Sequence, residues 1–214
     1  NQLIFGKCYV IFGQDEDFPT NFELSSLNGE NGFSIVGREG SRRLGHRVRF
    51  AEDVNGDSID DLLIGDPFIN INGVNNVGLI YVIFGTNSGF DSEVYLDSLN
   101  GSNGFIITGK AIMDDGYFGF SLDGAGDVNK DGLGDIIVGA YGIGPEPKYY
   151  FGESYLIFGQ RTFSAELEIT EGLEYPVGFS LPGNQLGQKS GYSVSGLGDF
   201  NGDGWDDVAI GAPE

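Results

Sequence analysis

Asp199-Phe-Asn201-Gly-Asp203-Gly-Trp205-Asp-Asp207 runs directly into Val208-Ala-Ile-Gly-Ala-Pro213. The first nine residues place side-chain oxygens at positions 1, 3, 5 and 9 of a loop. The pattern occurs twice more, as Asp53-Val-Asn55-Gly-Asp57-Ser-Ile59-Asp-Asp61 and as Asp127-Val-Asn129-Lys-Asp131-Gly-Leu133-Gly-Asp135. A hard dication such as Ca²⁺ takes about six to eight oxygen ligands. A loop that alternates Asp or Asn with small residues can curl so that every second oxygen points inward. Glycines between the ligands permit that curvature.

Three Ca²⁺ sites per chain are therefore expected. Their side-chain ligands are Asp53, Asn55, Asp57 and Asp61; Asp127, Asn129, Asp131 and Asp135; and Asp199, Asn201, Asp203 and Asp207. Position 7 (Ile59, Leu133, Trp205) is assigned a backbone carbonyl, which needs no particular side chain. An EF-hand would need a bidentate Glu at position 12 and flanking helices. Here position 12 is Ile64, Val138 or Ile210, inside short β-branched runs that read as buried strands. The motif is a strand–loop–strand site. Asp, Asn and Gly are also ordinary turn formers, but three copies in one register favour a shared ligand pattern. Mg²⁺ fits less well, because it keeps its waters in a smaller shell.

The loops begin at 53, 127 and 199, a period of 72–74 residues, and the intervening sequence repeats with them. Gly6-Lys-Cys-Tyr-Val-Ile-Phe-Gly13, Gly78-Leu-Ile-Tyr-Val-Ile-Phe-Gly85 and Gly152-Glu-Ser-Tyr-Leu-Ile-Phe-Gly159 form one element. Phe33-Ser-Ile-Val-Gly37, Phe105-Ile-Ile-Thr-Gly109 and Phe179-Ser-Leu-Pro-Gly183 form the next. Each period thus holds four short strands. They are the strand entering the loop, the strand leaving it, the Tyr-Val-Ile-Phe strand and the Phe-x-Ile-x-Gly strand. Asn72-Gly73, Asn100-Gly101 and Pro145-Glu-Pro147 mark turns. Four antiparallel strands per repeat is the content of a propeller blade. The chain is expected to be one all-β region over 1–214, with repeat units at about 1–66, 67–140 and 141–214. Insertions at 14–32, 86–104 and 160–178 are expected to be irregular loops where specificity can sit.

These residues resemble the FG-GAP repeat. Phe118-Gly119 precedes one loop and Gly211-Ala-Pro213 follows another. The resemblance covers essentially the whole chain. It implies the β-propeller of integrin alpha subunits, with calcium in the blade hairpins; the long units look more like the bacterial form. The FG pair becomes Leu44-Gly45 and Ser190-Gly191, GAP becomes Gly65-Asp-Pro67 and Gly139-Ala-Tyr141, and Gly134 replaces the second-last loop aspartate. About three blades' worth of strands are present, cut out of phase. Propellers have four to eight blades. The chain is thus expected to belong to a longer propeller, or to pair with another copy in a six-bladed ring.

The formal charge is −21, and nine of the acids are the loop aspartates. That balance argues against nucleic acid, whose binding rests on Lys and Arg. No apolar run reaches the roughly 18 residues a membrane helix needs. The start at Asn1 inside an apolar run predicts a processed or partial chain. Cys8 is the single cysteine and reads as a packing residue. Asn100-Gly-Ser102 matches the N-glycosylation pattern, relevant only in a eukaryotic secretory host.

The function expected from this is extracellular or cell-surface recognition or adhesion, through an extracellular protein or glycan, with calcium holding the blades. The alternatives are a propeller accessory to a secreted hydrolase such as a phospholipase, or a structural spacer. No enzyme is evident. His46 is the only histidine, Ser58 lies in a calcium loop without a base, and no Gly-x-Ser-x-Gly elbow occurs. Asp60-Asp61 and Asp114-Asp115 read as turn acids. Trp205 is expected to pack its ring on a neighbouring blade.

Overall fold

The computed structural model describes residues 5–15, 17–41, 43–111, 115–144 and 150–213. Asp114 and the Pro145-Glu-Pro147 turn lie outside them. Among these residues no helix is long and apolar enough to cross a membrane. The chain is all-β, and its strands fall into four successive sheets, the blades of a propeller.

Blade I holds β1 (Lys7–Ile11) and β2 (Gly32–Val36). Blade II holds β3 (Arg47–Ala51), β4 (Asp61–Asp66), β5 (Leu79–Ile83) and, beyond a short β6 (Glu93–Tyr95), β7 (Gly104–Thr108). Blade III repeats it with β8 (Ser121–Gly126), β9 (Asp135–Ala140), β10 (Glu153–Ile157), a short β11 (Glu166–Glu168) and β12 (Gly178–Pro182). Blade IV holds β13 (Ser193–Gly198) and β14 (Asp207–Gly211). The entering strands β3, β8 and β13 are neighbours, so each blade presents its first strand to the next.

Every residue of β5 is buried, although strands usually alternate. The reason is the period-2 pleat between two covered faces. Ile80 and Val82 point into the core shared with blade III, beside Leu122, Ile136, Val138 and Tyr155. Leu79, Tyr81 and Ile83 point the other way, against Phe33, Ile35 and Leu44 on the blade I side. A third core joins Ile137 and Leu156 of blade III to Val194 and Val208 of blade IV. Cys8 is buried in the junction of blades I and II, where burial pushes its thiol up to about 11. It is a packing residue, as its strand context predicts.

The insertions depart from expectation. Those at 86–104 and 160–178 are not irregular loops. Each lays one strand in parallel along the outer strand of the preceding blade: β6 on β2, and β11 on β7. Each also stacks a phenylalanine there, Phe90 on Phe33 at 4.3 Å and Phe163 on Phe105 at 4.1 Å. Lys7 adds an ion pair to Glu93 at 2.8 Å. The insertions are clasps between blades. Their sequence signal is a phenylalanine at 18, 90 and 163, spaced like the calcium loops. Phe18, in the 14–32 insertion, is half-exposed and meets Phe22 edge-on at 6.1 Å.

Asp66, at the end of β4, is fully buried, and neither carboxylate oxygen has a hydrogen-bond partner of good geometry. Burial pushes it from an ordinary 3.8 up to about 6, opposed in part by Ser41. The native state therefore prefers the protonated acid. The associated stability is present below about pH 4 and is lost as pH rises through about 6. A shift of this size corresponds to about 3 kcal/mol. Asp66→Asn should raise stability to urea above wild type at pH 7.5, and the gain should shrink toward zero near pH 4. An equal difference at both pH values would show that the carboxyl's ionisation is not the cause.

Candidate metal centres and the opposite face

Each nine-residue loop joins the first and second strands of a blade, and all three loops have one geometry. The position-1 carboxylate winds the loop around itself. Asp53 accepts hydrogen bonds from the N–H groups of Gly56, Asp57 and Ser58 at 2.6–3.0 Å. Asp127 accepts from Asp131 and Gly132, and Asp199 from Gly202, Asp203 and Gly204. The position-3 asparagines Asn55, Asn129 and Asn201 each accept from the position-5 N–H at 2.8–2.9 Å. The position-5 carboxylates then accept from Ile59, Leu133 and Trp205, which orients the position-7 peptide. Positions 4 and 6 take positive φ in every loop, from Gly56 at +82° to Ser58 at +68° and Lys130 at +59°.

Position 9 starts the second strand. Asp61 is 2% and Asp135 0% exposed. Asp61 accepts from Val54 and Gly85, and Asp135 from Val128 and Gly159, all at 2.9 Å. Burial pushes both up to about 7, and the loop's own aspartates add to it. Among the described residues none of the nine loop aspartates has an ion pair. No three acidic, histidine or cysteine side chains there converge tightly enough to hold a metal by themselves. The Asn55 and Asn129 amides instead donate to Asp57 and Asp131 at 3.1 and 2.9 Å. The donor set is all oxygen, dense in negative charge and partly buried. Its chemistry fits a hard dication.

Adjacent loops touch. Asp206, at position 8 of the third loop, accepts from the Asp127 N–H at 2.8 Å. Gly134, at position 8 of the second, donates its N–H to the Asp53 carbonyl at 2.8 Å. This explains why Gly134 departs from aspartate: a Cβ there would lie 2.8 Å from that of Glu52. The Trp205 ring is partly exposed and meets the Lys130 ammonium of the neighbouring loop at 4.8 Å.

The other end of the strands is aromatic. His46, Phe120 and Tyr192 hold equivalent positions just before β3, β8 and β13. They join Phe68, Tyr117 and Tyr141 in an arc across blades II to IV. His46 lies 4.8 Å from Phe120, Phe120 lies 4.6 Å from Tyr141 and 5.2 Å from Tyr192, and Tyr117 stacks on Tyr141 at 5.0 Å. These rings are half-buried or exposed. Burial, Arg47 and Arg43 hold His46 below its ordinary pKa. The arc escaped sequence reading because its members come from two kinds of position and meet only across blade boundaries.

The FG-GAP repeat family model matches residues 118–157 and 190–214. The chain carries FG-GAP repeats. It is similar to integrin alpha-PS2 of Drosophila melanogaster, 31% identical over 202 residues, covering 88% of this chain and 13% of that protein. Integrin alpha-PS5 of the same organism is 32% identical over 211 residues, covering 97% of this chain and 18% of that protein. A phosphatidylinositol-glycan-specific phospholipase D of Dictyostelium discoideum is 29% identical over 207 residues, covering 92% and 20%. The chain thus spans a fifth or less of these relatives' lengths. The structure gives the FG-GAP motif a physical reading. A Cβ on Gly65 or Gly139 of the GAP positions would overlap the carbonyl of Gly119 or Gly191, the FG glycine of the next blade. The residue before that glycine fills one buried slot, whether Phe118, Leu44 or Ser190.

Proposed function

We propose that this FG-GAP chain is a calcium-stabilised propeller module for extracellular recognition or adhesion. The calcium part is carried by one observation: buried Asp61 and Asp135 stand at the ends of all-oxygen loops whose other carboxylates crowd them and help hold them protonated. The Ca²⁺ ligands would be Asp53, Asn55, Asp57, Ile59 carbonyl and Asp61, with Asp127, Asn129, Asp131, Leu133 carbonyl and Asp135, and Asp199, Asn201, Asp203, Trp205 carbonyl and Asp207. Bound calcium would neutralise those carboxylates and lock the hairpins. This leaves the aromatic arc at the opposite end free to receive a partner. Partly exposed Tyr and Phe rings with a flanking Arg43 suit a protein contact better than a bare polar face. The similarity to integrin alpha chains supports the same reading, and an extracellular or cell-surface placement is part of it.

Calorimetry on the chelator-stripped chain should give about three Ca²⁺ sites. A folded chain that takes up no calcium would sink the metal reading. A propeller that still binds its surface ligand after Tyr141→Ala and Tyr192→Ala would remove the aromatic arc from recognition.

The phospholipase D similarity supports a second reading, a propeller accessory to a hydrolase. His46 packs between the Phe68 and Phe120 rings, and Asp61 of the Asp60-Asp61 pair is committed to Val54 and Gly85. In that reading the catalytic groups would come from outside these residues.

A further inference from the structure

We propose that the three loops take up calcium as a coupled set, with Asp206 the positioning residue that ties the third loop to the second. This rests on the calcium reading above. Asp206 lies between positions 7 and 9 of its own loop, so metal that orders Trp205 and Asp207 also orders Asp206. Its carboxylate does not serve its own loop. It reaches the preceding blade and accepts the N–H of Asp127 at 2.8 Å. Asp127 is the residue whose two oxygens wind the second loop.

The contact is built on both sides. Gly126 has φ +73°, and a side chain there would occupy the space of the Asp206 carboxylate. Lys130 of the second loop lies over Trp205 of the third, 4.8 Å from the ring centre. The junction between the first and second loops uses the same two positions with the groups exchanged. There the carboxylate is Glu52, in the place of Gly126, and the glycine is Gly134, in the place of Asp206. Gly134 donates to the Asp53 carbonyl at 2.8 Å. Each junction thus holds one carboxylate opposite one glycine, and position 8 of the second and of the third loop bonds the main chain of position 1 in the loop before it.

Metal binding to a mobile loop costs the entropy of ordering it. A neighbour already ordered by metal has met part of that cost, so affinity rises. Each loop's three aspartates cancel the dication locally, which limits repulsion between sites.

Trp205 is the only tryptophan, so its emission reports on the third loop in the whole 214-residue chain. Asp131→Asn disables the second loop. It should move the Trp205-reported calcium midpoint upward by about five-fold or more, the lower range of measured couplings. Asp203→Asn should weaken the second loop by the same factor in calorimetry, because linkage is reciprocal. In an Asp206→Ala background Asp131→Asn should add no further shift. Asp206→Asn keeps an acceptor oxygen and should retain the coupling, which a merely structural role for the charge would not predict. Three sites whose Trp205 midpoint ignores Asp131→Asn would overturn the coupling alone. A folded chain with no calcium uptake would overturn the calcium reading with it.

Discussion

Stripping calcium with a chelator should lower the melting temperature of this chain by roughly 15 °C or more. A ligand at a hundred times its dissociation constant stabilises by about 2.7 kcal/mol per site. Three loops would then contribute about 8 kcal/mol, and a domain of this size shifts by about 2–4 °C per kcal/mol. The direction follows from the loops themselves. Without a cation, each holds three carboxylates together, and Asp61 and Asp135 are buried. Differential scanning calorimetry with and without calcium measures the shift. The net charge of −21 makes a sodium chloride control necessary, since salt alone relieves long-range repulsion. A melting temperature that follows ionic strength and ignores calcium at matched salt would refute the loops as metal sites. Magnesium at the same concentration should stabilise far less, because it gives up its waters reluctantly.

The second large effect is expected at the junction of blades II and III. Lys110 follows the end of β7, and its ammonium reaches Glu153 at the start of β10, 2.7 Å away. Their side chains are only 10% and 7% exposed. The pair also lies beside the Tyr155 ring, 5.6 Å from the ammonium. Removing one partner of a buried pair leaves the other charged and unsolvated, at about 3–5 kcal/mol. Lys110→Met should therefore lower the melting temperature by roughly 6–20 °C. The double variant Lys110→Met/Glu153→Leu should recover most of that loss, since a buried pair is often no better than well-packed apolar groups. A single variant that melts within about 2 °C of wild type would mean that Glu153 finds water when Lys110 is gone.

These two sites differ in how far they could be read without coordinates. The loops were legible because their candidate ligands come from one nine-residue stretch, and the spacing of oxygens in a tight turn is a local property. The strands were legible for the same reason. Runs such as Tyr81-Val-Ile-Phe84 carry their β-preference in themselves, and the repeat confirmed each reading three times. Lys110 and Glu153 were not legible, because they are 43 residues apart and meet only where two blades pack. The clasps were misread as loops because β6 and β11 are three residues each, too short for a periodic signal. Only the edge of the preceding blade makes them strands.

What the amino-acid order determined by itself is the repeat, the all-β character and the composition of the candidate calcium loops, since each rests on residues close in the chain. What tertiary structure decided is everything between repeats: the parallel clasps, the buried ion pair, the aromatic arc, and the exchange of Glu52 and Gly134 for Gly126 and Asp206. Those contacts depend on how one blade is set against the next. That is settled by residues far apart in the chain, such as Lys110 and Glu153 or Asp127 and Asp206, meeting where two blades pack.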